Sequence, residues 1–331
     1  MKKRIVCIGG GTGTFVALKG LKQYPYKLSA IVTMSDSGGS NKRIRDEFGL
    51  LPTSDIRQCL VALSDEKGGA GTLRKLFMYR FEKGEGIIGM TFGNLFMAAL
   101  SDILGSQKEA IRQTGKVLRI AGDVLPVSFT DTNLYAEYED GHTLSEEHLI
   151  DEPPHDGRMR ITRVYLKPAA EANPDAIQAL ITSDLIVVGP GDLYTSLVPN
   201  LLVGGVSAAI KQSKGKLVYI LNLMTKYGQT VDFPASQHVK VLETYLGRSV
   251  DFVLVNTTPL PPSTLTFYAN SHEFPVIDDL GKKKKPHIVR MDIGNTTILK
   301  KPKSDALVRS LIRHDSDKLA SALIKILEDT V

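Results

Sequence analysis

Three glycine-rich polar segments hold the groups of this chain best suited to chemistry: Gly9-Gly10-Gly11-Thr12-Gly13-Thr14, Asp36-Ser37-Gly38-Gly39-Ser40, and Gly189-Pro190-Gly191-Asp192, which continues through Tyr194, Thr195 and Ser196. Each follows an apolar, β-branched run: KRIVCI, SAIVTM and SDLIVV. Glycine lets the backbone come close to a ligand, and free N–H groups at a helix start attract anions. Phosphate binding is the chemistry this pattern offers. In the first segment Gly10, Gly11 and Gly13 supply backbone freedom and positive φ, while Thr12 and Thr14 supply hydroxyls. In the second, Lys42, Arg43 and Arg45 come directly after Ser40, and each charge-assisted bond to a phosphate contributes roughly 1.5–3 kcal/mol. The alternatives are a tight strand-to-helix turn for the first segment and a turn-initiating Asp36 with solvated arginines for the second.

The best-known nucleotide fingerprints are not met. Aligning G-x-G-x-x-G on Gly9 and Gly11 puts Thr14 where the third glycine belongs, and no G-K-[ST] follows. Asp36 would repel an anion unless a magnesium ion or a sugar hydroxyl stands between them, so it is read as serving one of those tasks. Asp55, in the first turn of a predicted helix, gains from the helix dipole in any case, or joins Asp36 as a second magnesium ligand. Asn94 is read as an N-cap or a ligand contact. Two further apolar runs end in polar groups, at Asn222–Thr225 and Asn256–Thr258.

The elements that must position these residues alternate. Ile5–Ile8 reads as a strand, Thr14–Tyr24 as a helix and Ser29–Met34 as a second strand, a β-α-β opening. Ser54 is expected to cap a helix with an apolar stripe of Ile56, Cys59, Leu60 and Leu63, ahead of helices near Thr72–Phe81, Asn94–Leu104 and Lys108–Val117. From about Leu125 to Val164, short alternating stretches around Asp140-Gly141 and Pro153-Pro154 predict hairpins in a small β-rich insertion. Strand-helix alternation then resumes at Leu185–Val188, Leu217–Leu221 and Phe252–Val255 and closes with a helix over Asp317–Leu327. The expected fold is one α/β domain over residues 1–331, a doubly wound, mostly parallel sheet interrupted by that insertion.

Bulk properties agree with a globular protein: 331 residues, 42% hydrophobic and 23% charged. No apolar run reaches the roughly 18 residues of a membrane span, and the basic start at Met1–Arg4 precedes too short an apolar stretch for a signal peptide, so a cytoplasmic protein is expected. Cys7 and Cys59 stand alone, without disulfide or zinc spacing. A net charge of +5 suits an anionic ligand or nucleic acid. The Lys282–Lys285 run reads as a solvated loop with no nucleic-acid motif beside it, which argues against nucleic acid.

Several longer motifs, in order, resemble one family: IGGGTGTF, SDSGGSNKRIRDEFG with LLPTSDIRQCLVAL, FGNLFMAAL, GPGDLYTSLVPNLL, and NLMTKYGQT with ASQHV. From about Ile5 to Arg313 the chain is similar to the gluconeogenesis-factor (YvcK) branch of the CofD-like family. That resemblance implies a three-layer Rossmann-like fold. For this branch it implies binding of UDP-sugars such as UDP-N-acetylglucosamine, and a regulatory part in carbon metabolism, cell-wall precursor supply and cell shape. It maps ligand contacts onto Gly10–Gly13, Gly38–Ser40 and Gly189–Ser196 and adds Tyr268, stacking on base or sugar, and Arg313, pairing with the pyrophosphate. Where the branch often has two adjacent acids ahead of the glycines, Ser37 follows Asp36 here.

Three functions follow as expectations. The first is a UDP-sugar-binding regulator with a protein partner, a possible homo-oligomer. The second is a magnesium-dependent transferase, because the other branch of the family moves a phospholactyl group from an activated nucleotide to a deazaflavin. The third is NAD binding, with Asp36 at the second strand's end as the ribose acid. Catalysis stays open: His142, His148, His155 and His314 read as surface or packed residues, and phosphoryl-type transfer needs no nucleophilic side chain.

Overall fold

Ile5 and Cys7 point to one side of the first strand and Val6 and Ile8 to the other, and all four are buried in two separate apolar clusters. A strand covered on both faces belongs at the centre of a parallel sheet, which is why KRIVCI is apolar without alternation. The computed structural model of the chain describes residues 2–35, 37–66, 69–281, 285–295 and 311–329. Asp36 and Lys282–Lys284 lie outside the described residues, so the readings made of them have no structural counterpart below.

Ten strands are present among the described residues: β1 (Arg4–Gly9), β2 (Lys27–Val32), β3 (Asp123–Pro126), β4 (Asn133–Tyr138), β5 (Thr143–Ser145), β6 (Ile161–Lys167), β7 (Leu185–Val188), β8 (Lys216–Ile220), β9 (Phe252–Asn256) and β10 (His287–Met291). Seven form one sheet in the order β10-β9-β8-β7-β1-β2-β3. Every pairing in it is parallel. The helix Gly11–Leu21 lies on one face with Ser54–Leu63 and Ser316–Leu327, and Gly20 packs so tightly that a β-carbon there would stand 1.9 Å from the Ser316 carbonyl oxygen. From β1 the chain winds outward to β2 and β3 on one side and to β7 through β10 on the other. The crevice at such a reversal, beyond the carboxyl ends of the strands, is where sheets of this kind hold ligands.

The doubly wound α/β reading is therefore correct, with local corrections. The first helix begins at Gly11 rather than Thr14, because Gly11 and Gly13 take helical backbone instead of the turn and positive φ expected of them. Ser54 is the first helical residue, not the cap; Asn41 Oδ1 takes the cap's place by accepting the Thr53 and Ser54 N–H groups at 3.3 and 3.2 Å. Thr91 rather than Asn94 caps the helix Phe92–Leu104, its hydroxyl accepting from the Asn94 N–H. Only β4, β5 and β6 form the small antiparallel sheet, in the order β5-β4-β6, and β6 runs on to Lys167. Leu125 lies instead in β3, at the edge of the large sheet. The strand β10 had no counterpart in the sequence reading, since HIVRM offers one buried residue, Val289, between half-buried or exposed ones.

Candidate functional site

A cleft of about 680 Å³ opens beyond the carboxyl ends of β1, β2, β7 and β8. All three glycine segments reach it. Gly10, Gly11, Thr12 and Gly13 enter after β1, Gly38 and Ser40 after β2, and Gly191, Asp192, Thr195 and Ser196 after β7. Asn222, after β8, is tied to the third segment in both directions, its Oδ1 accepting from Gly191 N–H at 3.3 Å and its Nδ2 donating to Gly191 O at 2.9 Å.

The first and second segments start helices that no side chain caps: Gly10 precedes Gly11–Leu21 and Gly38 precedes Gly39–Phe48. Thr91, Ser106, Asn173 and Asp315 close other helix starts with a side-chain acceptor, while the starts at Val206, Ala235 and Pro262 are also uncapped by side chains. Helix N-termini carry unsatisfied N–H groups and partial positive charge, so two that meet the same cleft favour an anion there.

In the first segment Gly13 is required by packing rather than by φ, since its β-carbon would meet the Pro190 backbone, whereas Gly10 and Gly11 are bordered by the ends of side chains. A β-carbon on Gly11 would stand 2.5 Å from both Asp55 Oδ1 and Gln58 Nε2, and one on Gly10 would stand 2.9 Å from Ser196 Oγ. Gly189 does have a positive φ, 86°, and lies behind the wall. Asp55 is thus beside Gly10 and Gly11 on the wall. One carboxylate with substrate phosphates is a donor set magnesium accepts, so Asp55 fits that role in part, while Asp36 is outside the described residues. Among the described residues no group of three or more His, Cys, Asp or Glu side chains is placed to hold a metal ion.

Other predicted residues separate into wall and support. Arg43 lines the cleft, donating to the carbonyls of Gly86 and Ile88 and facing Glu47 Oε1 at 3.5 Å, whereas Arg45 turns to Asn133 and Asp131 of the insertion and Lys42 is exposed. Asn94 is fully buried behind the wall: its Nδ2 donates to Ser40 Oγ and Ser54 Oγ, and its Oδ1 accepts from the buried Arg57 Nε at 3.1 Å. Tyr194 is also buried off the wall, its N–H donating to Gln229 Oε1, and Gly39 is the first residue of the helix Gly39–Phe48. Tyr268 and Arg313 both line it. Tyr268 is 4% exposed, and its Oη accepts the N–H groups of Leu311 at 2.8 Å and Ile312 at 3.2 Å. It therefore holds the segment that carries Arg313.

Sequence reasoning missed a charged group on the same wall. Lys226 Nζ lies 3.7 Å from Asp151 Oδ2 and 3.7 Å from Glu273 Oε1. Burial, joined by Asp151 and Glu273, raises the Asp192 carboxyl well above the usual range against the pull of Lys226. Burial raises Glu273 as well, and the surrounding carboxylates outweigh burial to raise Lys226. Lys226 directly follows the Asn222–Thr225 strand end, so a signal for it existed; Asp151 comes from the insertion and had none. The insertion is held to the second segment by Ser37, whose Oγ lies 3.0 Å from His148 Nδ1 and accepts the His148 N–H at 3.2 Å.

A parallel, doubly wound sheet whose strand ends converge on one cleft defines a Rossmann-like α/β protein. The family model described as 2-phospho-L-lactate transferase CofD matches residues 5–294, and the chain belongs to that family. It is 38% identical to a gluconeogenesis factor of Bacillus subtilis, over 99% of this chain and 99% of that one. To a gluconeogenesis factor of Halalkalibacterium halodurans it is 39% identical, over 98% and 96%. A crystal structure of a Bacillus halodurans protein superposes with a TM-score of 0.87 at 36% identity, covering 98% of this chain and 99% of that one. Among the described residues no helix is long and apolar enough to cross a membrane.

Proposed function

We propose that the chain binds a nucleotide-sugar of the UDP-N-acetylglucosamine type in this cleft and acts as a cytoplasmic regulator, relaying carbon and cell-wall precursor status to a protein partner. The observation that carries the reading is the meeting of the Gly10–Gly13, Gly38–Ser40 and Gly191–Ser196 segments on one wall, with two helix starts left uncapped by side chains. A diphosphate satisfies both helix starts at once. The cleft's volume of about 680 Å³ falls in the ordinary range for small-molecule sites and has room for sugar and base as well as phosphates. Arg313 supplies a fixed cation at the wall, and micromolar binding requires about 8 kcal/mol, within reach of several charge-assisted bonds. The name of the Bacillus subtilis relative agrees with a role in carbon metabolism.

Titration calorimetry with UDP-N-acetylglucosamine, GDP and NAD, each with and without magnesium, tests the reading. Saturable binding of the UDP-sugar, tighter than that of GDP or NAD, supports it; binding of GDP or NAD alone removes it. A magnesium-dependent transferase is the second reading, favoured by Asp55 on the wall and by the name of the matching family model. Strict magnesium dependence together with product formation from an activated nucleotide would establish that reading instead.

A further inference from the structure

One end of the cleft is rich in hydrogen-bond acceptors, and its lysine is already paired. Asp151, Asp192 and Glu273 line it, and the lysine among them, Lys226, is only 17% exposed and held between Asp151 and Glu273. Gln229 holds this corner from behind, its Nε2 donating to Asp151 Oδ1 at 2.9 Å and to Thr195 Oγ1 at 3.0 Å.

An independent observation points the same way. His314, also on the cleft wall, is 5% exposed and its Nε2 has no partner. Burial keeps the ring neutral by lowering its pKa to about 4, against the backbone of Leu221, which favours the charged form. A neutral imidazole carries one acceptor nitrogen and one N–H, and a buried ring nitrogen left without a partner is costly until a ligand hydroxyl, which can donate or accept, meets it.

We propose that Asp192, Glu273 and Asp151 form a subsite for a neutral, hydroxyl-bearing glycosyl group and exclude groups that carry a carboxylate or a further phosphate, with His314 on the same cleft wall as a further neutral hydrogen-bonding group. Sugar hydroxyls donate to each of these carboxylates. An anionic substituent would meet three carboxylates, with Lys226 already committed to two of them, and like-charge juxtaposition is strongly unfavourable. The inference rests on the nucleotide-sugar reading above and deepens it. It also weighs against donors of the phospholactyl kind, whose carboxylate this end would repel.

Calorimetry with UDP-glucose, UDP-glucuronic acid and UDP at about pH 8, where carboxylates are ionised, tests it on the unaltered protein. The two sugars differ only in a hydroxymethyl against a carboxylate. UDP-glucose should bind at least about tenfold tighter than UDP-glucuronic acid, and tighter than UDP. Glu273→Gln, which keeps the shape and removes a charge, should narrow the glucose-to-glucuronate ratio several-fold. Equal affinity for the two sugars, or tighter glucuronate binding through Lys226, overturns the subsite while leaving nucleotide-sugar binding intact. Absence of binding by every uridine compound overturns both readings together.

Discussion

Gly13 packs so closely against Pro190 that a β-carbon on it would stand 1.8 Å from the Pro190 carbonyl oxygen. Two of the glycine segments, nearly 180 residues apart in sequence, are thereby fixed to each other by direct backbone contact. Gly13→Ala has no side chain to rotate away, so the segments must separate. The expected cost is about 3 kcal/mol, the upper part of the range for overpacking, with UDP-sugar affinity reduced at least about tenfold. Urea unfolding and calorimetry measure the two effects. Gly69→Ala, at a helical position with nothing within 4 Å, is the control and should leave both unchanged or raise stability slightly.

Asn94 tests the difference between touching a ligand and holding the wall that does. Its fully buried amide joins Arg57 to the Ser40 and Ser54 hydroxyls, so Asn94→Ala leaves the buried guanidinium and two half-buried serines less well satisfied. Loss of about 2–4 kcal/mol of stability is expected, because a hydrogen bond from a buried guanidinium goes unmade. Ligand affinity should fall only a few-fold in the population that remains folded. A large affinity loss with unchanged urea midpoint would mean that Asn94 contacts the ligand directly.

Tyr268→Phe separates stacking from positioning. The ring remains, but the acceptor for the Leu311 and Ile312 N–H groups is lost. If Tyr268 acts through Arg313, affinity falls, and the double variant Tyr268→Phe/Arg313→Ala binds no worse than Arg313→Ala alone. If Tyr268 works by stacking on the base or sugar, Tyr268→Phe binds as well as the unaltered protein. Calorimetry on the four proteins of this cycle decides.

Which parts of this site can be read from the chain follows from how local their causes are. The strands β1, β2 and β7 and the turns after them announce themselves because burial on both faces demands continuous apolar runs and glycine interrupts them. The same glycines misled on mechanism, since close approach to Pro190, Asp55 and Ser196 is a tertiary fact that no spacing records. Asn94 carries the residue type of a cap, yet Thr91 three residues earlier does the capping and releases it for the buried bridge. Lys226, Asp151 and Glu273 lie apart in sequence, and the Lys226–Asp151 pair exists only once the insertion has docked onto the strand ends. In β10 the sheet supplies the order that the sequence alone does not specify, through pairing to β9 from His287–Phe252 to Met291–Asn256.

His238 makes the fold itself sensitive to acid. It is fully buried in the helix Ala235–Leu246, packs edge-on against Phe233 at 5.8 Å, and neither ring nitrogen has a hydrogen-bond partner. Burial lowers its pKa from 6.5 to about 4. The unfolded chain therefore takes up this proton near pH 6.5 while the folded one resists until about pH 4, so stability is complete above the first value and falls as pH drops towards the second. Between those limits the group removes on the order of 3 kcal/mol, and His314, lowered to about 4 by the same cause, acts over the same window. Urea midpoints across that range should decline for the unaltered protein and decline less for His238→Phe, which keeps an aromatic ring in place without a titrating nitrogen. Parallel curves for the two proteins would show that His238 is protonated in the native state at no cost, contrary to its burial.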